Sequence, residues 1–175
     1  RNFKKQIKSK KIFYIEGDYI WGRKEKLFGW RSKLKNYSIT LGAGIHIIDL
    51  VMWLTNQKPI SVYAKGNKVV TKNTKFKKES LVVMIFQFPN NLLVKITANG
   101  AAIYDHFHEL KIFCKNETYV NSRLGSFNYV NKKFSMNNFS YPDKQNRKKL
   151  IRSFIDSLIE RRKKHIISLK QQLDL

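Results

Sequence analysis

The pattern of apolar positions along the chain is strongest between Ile45 and Leu54, where only His46 and Asp49 are polar. A membrane-spanning helix needs about 20 apolar residues, so this shorter run predicts a helix buried in a protein core. Positions i and i+3 lie on the same face of a helix, which brings His46 and Asp49 close together. Because buried polar groups need partners, we expect these two side chains to bind each other, a ligand, or both.

Strands are predicted on both sides of this helix. Alternating or continuous apolar runs indicate strands over residues 11–21, 60–64, 81–88 and 92–98, a hairpin of 110–114 with 119–120, and one more strand within 127–139. The run 81–88 is apolar throughout, which is typical of a strand buried on both faces. Pro89-Asn90-Asn91 has the composition of a turn.

The remaining segments predict connections and C-terminal helices. Residues 22–37 are polar, basic and aromatic without a sustained period, which indicates a long loop. Pro142-Asp143 begins a helix with an apolar stripe at Leu150, Phe154 and Leu158, and Ser168 opens a capping box for another helix. Strands in succession with helices at the margins predict an α+β domain.

Composition sets the class of protein. A chain of 175 residues with 42% hydrophobic residues can bury one sizeable core. Its one cysteine, Cys114, cannot form an internal disulfide, which fits the reducing cytoplasm. We find no secretory segment and no membrane span. Since the chain opens at Arg1 and stops within a helical pattern, we expect it to be a piece of a longer protein.

The net charge of +23 raises nucleic-acid binding as a hypothesis, because a basic surface attracts phosphates whatever their sequence. The lysines, however, are spread over the whole chain, and we find no zinc-finger spacing, RNP signature or basic zipper. Nucleic acid is therefore not the partner that the sequence favours. An anionic substrate, such as a nucleotide sugar, is compatible with the same charge.

Two further motifs contain chemically active residue types. Gly42-Ala43-Gly44 begins like a dinucleotide fingerprint, but Ile47 takes the place of its third glycine and no βαβ unit surrounds it. His106 and His108 would share one face of a strand. With no third ligand at clear spacing, we predict no metal site there. We expect these two histidines to line a substrate cleft next to His46.

A family resemblance extends this interpretation. Glycines before the helix, His46-x-x-Asp49, then Trp53-Leu54-Thr55 and a strand opening at Pro59 resemble the Gfo/Idh/MocA family of NAD(P)-dependent oxidoreductases. The segments 11–19 and 29–31 continue the resemblance in the family's order. It implies the family's C-terminal domain, an α+β fold with an open, mostly antiparallel sheet and helices packed on one face. Residues 1–175 would be a single substrate-binding and dimerisation domain, truncated at both ends, with the Rossmann domain absent from this chain.

The resemblance also implies a function. The family transfers a hydride between NAD or NADP, bound mainly by the N-terminal domain, and a hydroxyl of a sugar-type substrate. His46 would be the catalytic base. Asp49 would orient His46 or contact the substrate, or form a purely structural pair with it. Trp30 and Arg31 would approach the substrate, although a solvated surface charge is an equal alternative for Arg31. A homo-oligomer through the sheet is expected.

One departure from the family pattern leaves other functions open. The family usually has an aspartate four residues before the histidine, and Gly42 stands there in this chain. A non-catalytic relative kept for binding or assembly is therefore an alternative, and a basic nucleic-acid-binding protein is a second one.

Overall fold

Eight strands and four helices make up the part of the chain, residues 2–137 and 144–160, that the computed structural model describes. In chain order they are α1 (Asn2–Ile7), β1 (Ile12–Ile20), α2 (Glu25–Phe28), α3 (Ile45–Thr55), β2 (Ser61–Asn67), β3 (Leu81–Gln87), β4 (Leu93–Asn99), β5 (Phe107–Cys114), β6 (Glu117–Ser122), β7 (Gly125–Val130), β8 (Lys133–Asn137) and α4 (Lys144–Ile159). Short 3₁₀ turns cover Trp30–Lys33 and Pro89–Asn91, and a π-helical turn covers Thr40–Gly44.

All eight strands form one mixed sheet in the order β2-β3-β4-β1-β5-β6-β7-β8. Its one parallel pair is β1 with β4, and the other neighbours are antiparallel. The first strand lies in the middle of the sheet, between β4 and β5, and runs in the same direction as β4. The predicted fold class, an open and mostly antiparallel sheet in an α+β domain, is confirmed.

One face of the sheet forms the core together with α3. Alternate residues of the central strands point to this face, and Ile15, Ile96 and Ile112 are at most 1% exposed. From the helix, Ile47 and Val51 are equally buried. Gly17 of β1 lies so close to Ile47 that a Cβ at position 17 would overlap that side chain. The missing side chain therefore lets α3 cross directly over β1.

The prediction that α3 is buried in the core is correct for one stripe and wrong for the opposite face. Ile47, Val51 and Leu54 are buried, but His46 and Asp49 are exposed. No hydrogen bond or ion pair joins His46 to Asp49 in the described part of the chain. Exposed polar groups are hydrated and need no partner, so the argument that burial forces them to pair does not hold.

The predicted loop over residues 22–37 is also wrong in part. It contains α2 and the 3₁₀ turn Trp30–Lys33. These segments are too short for the hydrophobic period to register. Leu27 of α2 is fully buried in the core, and Phe28 and Tyr37 of the same segment pack against it.

Two strand predictions need correction, while those for β1, β2, β4 and the β5–β6 hairpin are confirmed. β3 is not buried on both faces, since Met84 and Phe86 are buried but Ile85 is 48% exposed. Residues 127–139 were expected to hold one strand, and the described part of this segment instead belongs to the two strands β7 and β8. Asn131 and Lys132 between them both have positive φ, as two-residue hairpin turns require.

The chain divides into two compact units, residues 1–137 and 138–175. In the second unit, α4 confirms the predicted helix and carries its predicted apolar stripe of Leu150, Phe154 and Leu158. The helix start expected at Pro142-Asp143 and the capping box at Ser168 lie outside the described residues. No helix in the described ranges is long and apolar enough to cross a membrane.

Candidate functional site

Tyr19, near the end of β1, is the centre of a cluster that contains three histidines. Its ring centroid lies 4.1 Å from that of His108, 5.5 Å from that of His106 and 5.8 Å from that of His46. Tyr19 is only 7% exposed, whereas His46 is exposed. The cluster therefore runs from the core to the surface and presents His46 outward.

The packing of α3 and the strand register bring these residues together. Ile47 packs against Gly17 of β1, and His46 is its immediate neighbour in the first turn of α3. Two residues further along β1, Tyr19 pairs directly with His108 of β5. Side chains that are opposite each other on neighbouring strands point to the same face, so Tyr19 and His108 point to the face that α3 covers.

His106 is held by the backbone at the end of β1. Its Nδ1 lies 3.0 Å from the carbonyl oxygen of Trp21. A carbonyl oxygen only accepts, so Nδ1 carries the hydrogen and, in the neutral ring, Nε2 is left as an acceptor. Gly22 permits this approach, because its φ is +54° and a Cβ there would overlap the Tyr104 carbonyl and the His106 amide.

His108 is a neutral imidazole at physiological pH. Burial, together with the smaller effects of the neighbouring His106 and His46, lowers its pKa to about 4. A second protonated histidine in this cluster would repel a charge on His46. His108 is thus an uncharged polar side chain on the buried side of the exposed His46.

We expect this histidine to make stability depend on pH in a defined window. The unfolded chain binds the proton with a pKa near 6.5, while the folded chain binds it near pH 4, so the unfolded state holds more protons between these values. Stability should be full above pH 6.5 and fall by about 2 kcal/mol, after allowing for partial exposure, as the pH drops to 4. Urea titrations across this pH range measure the free energy of unfolding, with His108→Gln as the matched variant. An unchanged slope in His108→Gln would contradict the assignment.

Arg31 lies in a second cluster, made of aromatic rings. Its guanidinium carbon is 4.3 Å from the ring centroid of Trp30, 5.0 Å from that of Trp21 and 5.8 Å from that of Tyr37. Cations placed over aromatic faces at such distances are attracted by them. Arg31 is partly buried, so it is held by rings and is not a freely solvated surface charge.

Tyr37 fills the space beside Gly42, the position where the family usually has an aspartate. A Cβ on Gly42 would overlap the Tyr37 hydroxyl. Burial raises the pKa of Tyr37, and the nearby Arg31 guanidinium opposes part of that shift. Gly42 lies in the π-helical turn directly before α3, four residues before His46 in the sequence.

The structure thus joins the predicted site residues into two adjacent groups. His46, His106 and His108 meet around Tyr19, and Trp30 and Arg31 form the other group. Trp21 links the two groups, because its ring contacts Arg31 and its carbonyl contacts His106. Asp49, one turn beyond His46, is exposed, and no hydrogen bond or ion pair joins the two among the described residues.

Tyr19, Trp21 and Tyr37 were not predicted from the sequence as site residues. For Tyr19 a signal existed, since strand alternation places it on the same face as Ile15 and Gly17. Trp21 and Tyr37 carried no comparable signal, because their roles depend on contacts across the fold.

The described residues do not form a site that fits a metal ion or the diphosphate of a dinucleotide. In the described ranges no three His, Cys, Asp or Glu side chains are arranged to hold a metal ion. Gly42-Ala43-Gly44 lies in a π-helical turn, where the Gly42 amide donates to the Ser38 carbonyl and Ala43 and Gly44 are buried. These glycines form helix backbone and do not fit a phosphate-binding loop.

Comparison with known proteins agrees with this fold. The family model described as "GFO/IDH/MocA C-terminal domain" matches residues 7–120. No curated protein matches the sequence. Myo-inositol 2-dehydrogenase from Lactobacillus plantarum superposes with a TM-score of 0.75 at 14% identity, over 99% of this chain and 54% of that one.

Two more solved structures share the fold. Scyllo-inositol dehydrogenase from Lactobacillus casei, with bound NAD(H) and scyllo-inositol, has a TM-score of 0.72 at 16% identity over 99% of this chain and 54% of that one. UDP-N-acetylglucosamine 3-dehydrogenase from Acidithiobacillus ferrooxidans has a TM-score of 0.69 at 18% identity over 92% and 49%. This chain therefore spans about half the length of these dehydrogenases.

The family match covers well over half of the 175 residues and includes the central strands, α3 and all three clustered histidines. The eight-stranded sheet crossed by α3 is the fold shared with those dehydrogenases. This chain therefore belongs to the GFO/IDH/MocA family, in the region of its C-terminal domain.

Proposed function

We propose that this chain is the substrate-binding part of an NAD(P)-dependent oxidoreductase that acts on a hydroxyl of a sugar or nucleotide sugar. The observation that carries the proposal is His46, exposed at the first turn of α3 and backed by Tyr19 and the neutral His108. Oxidation of an alcohol carbon needs a base for the hydroxyl proton, and histidine is suited to that task near neutral pH.

In this proposal each group has a separate task. His46 takes the hydroxyl proton, and His106 and His108 line the substrate cleft. Arg31, fixed by its three aromatic rings, binds an anionic or polyhydroxy part of the substrate beside Trp30.

Asp49 is proposed to contact a substrate hydroxyl, because it is exposed one turn from His46. The nicotinamide cofactor, NAD or NADP, would accept the hydride and be held mainly by a Rossmann domain outside this chain, since the glycines here do not fit its diphosphate.

The substrate class is inferred from two sources. The similar structures are named as dehydrogenases of inositols and of a UDP-linked sugar. The net charge of +23 favours an anionic substrate within that class. The test is a screen of inositols, aldoses and nucleotide sugars with NAD and NADP, using the protein as its host produces it. Turnover of one of them supports the proposal, and binding of none of these compounds overturns it.

A non-catalytic binding role is the second candidate, and one observation favours it. Gly42 replaces the usual aspartate, and the Tyr37 hydroxyl fills the space beside it. A protein of this kind would bind a sugar with measurable affinity in the same screen but would not reduce NAD or NADP. Binding without turnover would select it.

We also propose a homo-oligomer through the face of the sheet opposite α3. One cross-strand row on that face takes a residue from every strand: Tyr63, Ile85, Lys95, Glu16, Lys111, Val120, Phe127 and Met136. The charged middle is internally neutralised, since Lys95 Nζ lies 2.8 Å from Glu16 and 2.9 Å from Asp18. Tyr63, Ile85 and Met136 are 68%, 48% and 62% exposed. Exposed apolar patches of this kind favour a protein partner.

Charged substitutions in this row should separate the subunits. We expect Ile85→Lys with Met136→Lys to convert a dimer or larger oligomer into a monomer, because each lysine would occur twice in a symmetric interface. Sedimentation velocity measures the mass. The control is Val69→Lys with Leu124→Lys, which places the same charges at residues that are 82% and 81% exposed in connections outside the row. A monomeric unmodified protein would contradict the proposal.

The reducing cytoplasm is the compartment we propose, because Cys114 is a buried free thiol. Burial raises its pKa to about 11, which keeps it unreactive.

A further inference from the structure

A cavity of about 1110 Å³ lies at the C-terminal end of α3, away from the histidine cluster. It is lined by α1 and the start of β1, by the end of α3, and by the turn between β3 and β4. His46 and Thr55 are at opposite ends of α3, about 13 Å apart along the helix axis. The cavity is therefore separate from the site proposed above, and nothing in the proposed oxidoreductase function uses it.

The lining of this cavity carries charge of one sign. Lys4, Lys5, Lys8, Lys10 and Lys11 all contribute, and among the described residues no aspartate or glutamate does. A concave surface lined by one sign of charge focuses its field and concentrates counter-ions. The cavity is therefore built to attract anions.

Two of the five lysines are already engaged within the protein. Lys4 donates to the Trp53 carbonyl at the end of α3 and lies 4.4 Å from the centroid of its ring. Positive charge is favourable at a helix C-terminus, so Lys4 has a structural role. Lys10 forms an ion pair with Glu117.

Lys5, Lys8 and Lys11 are the other three. All are exposed, and none forms an ion pair or side-chain hydrogen bond with any residue in the described ranges. Their charges are available to a ligand.

The rest of the lining provides amides on a fixed backbone. Asn56, Asn90 and Asn91 have φ values of 55°, 61° and 59°, a left-handed conformation that asparagine tolerates better than most residues. Their side-chain amides can donate to oxygen atoms. Lys4 lies over the Trp53 ring, and the exposed lysines and the amides are the groups of this lining that can recognise a ligand's charged oxygens.

We propose that this cavity binds a small anion with two or more phosphate groups, held by Lys5, Lys8 and Lys11. These three lysines line one concave surface bounded by α1, the end of α3 and the turn between β3 and β4, which suits a compact ligand better than a long nucleic-acid strand. Such a strand would need a basic track that extends beyond the cavity. The proposal does not depend on the oxidoreductase function.

Inorganic tripolyphosphate is the probe, and isothermal titration calorimetry of the protein as its host produces it is the measurement. We expect one bound anion per chain, with affinity that falls as salt rises. The variant Lys5→Gln, Lys8→Gln, Lys11→Gln should bind about tenfold more weakly, because each exposed charge pair contributes modestly. The matched control, Lys72→Gln, Lys75→Gln, Lys77→Gln, removes the same charge from exposed lysines outside the cavity. The affinity of this control variant for tripolyphosphate should be within about twofold of that of the unmodified protein.

Three outcomes would overturn the proposal. In the first, tripolyphosphate does not bind. In the second, both triple variants weaken its binding equally, which would mean that the binding depends only on the overall charge of the protein. In the third, single-stranded oligonucleotides displace tripolyphosphate with an affinity that rises steadily with their length, which would identify an extended nucleic-acid surface. The sugar screen described above gives its result independently of all three.

Discussion

Replacing His46 with asparagine is expected to lower kcat for oxidation of the sugar-type substrate by about 100- to 10,000-fold, the usual contribution of a general base. Asparagine keeps a polar side chain of similar reach at the first turn of α3, but it cannot accept a proton. The exposed position of His46 means that the exchange removes little buried contact. Stability should therefore change by less than about 0.5 kcal/mol.

The pH profile separates a base from a residue that only shapes the cleft. In the unmodified protein kcat should fall on the acidic side as the base becomes protonated, and this acidic limb should be absent from the residual activity of His46→Asn. Added imidazole should restore part of the activity of His46→Ala, because the exposed position leaves room for it. A fully active His46→Asn would remove His46 from the catalytic role. It would leave the sugar screen to decide whether the chain acts as an enzyme at all.

Sequence patterns predicted more of the fold than of the candidate site. Strand alternation and turn residues predicted most of the sheet, because period-two burial against one core is a local signal. The position of β1 between β4 and β5 is different. It depends on a parallel pairing between segments about 80 residues apart, and no local pattern contains that information.

At the site, residue types were predicted and their surroundings were not. The rings of His46, His106 and His108 meet around Tyr19, and their lining of a substrate cleft stays a prediction. The burial of α3 was misjudged because Ile48, Leu50 and Met52 are apolar yet only partly buried. Apolar character marks where a residue can be buried and does not report how much of it is. The role of Trp21 depends on its carbonyl, which no side-chain pattern can reveal.

Gly22→Ala is expected to cost about 3 kcal/mol or more of the free energy of unfolding, since it combines a strained φ with an overlap of backbone atoms. The φ of Gly22 is +54°, and a Cβ there would overlap the Tyr104 carbonyl and the His106 amide. The segment carrying His106 would have to move away from the end of β1. That movement would break the contact between His106 Nδ1 and the Trp21 carbonyl, so the variant should also lose affinity for the substrate.

Asn56→Ala is the matched control, because it places an alanine at nearly the same φ of 55° where a Cβ is already accommodated. Its expected cost is about 1 kcal/mol, the strain of a left-handed alanine alone. Urea unfolding of the two variants isolates the overlap as the difference between them, and NMR of the His106 ring reports the lost hydrogen bond. Equal losses of unfolding free energy in the two variants would mean that the segment Tyr104–His106 can move away from position 22 without destabilising the fold. The close packing at Gly22 would then not be what holds His106 against Tyr19.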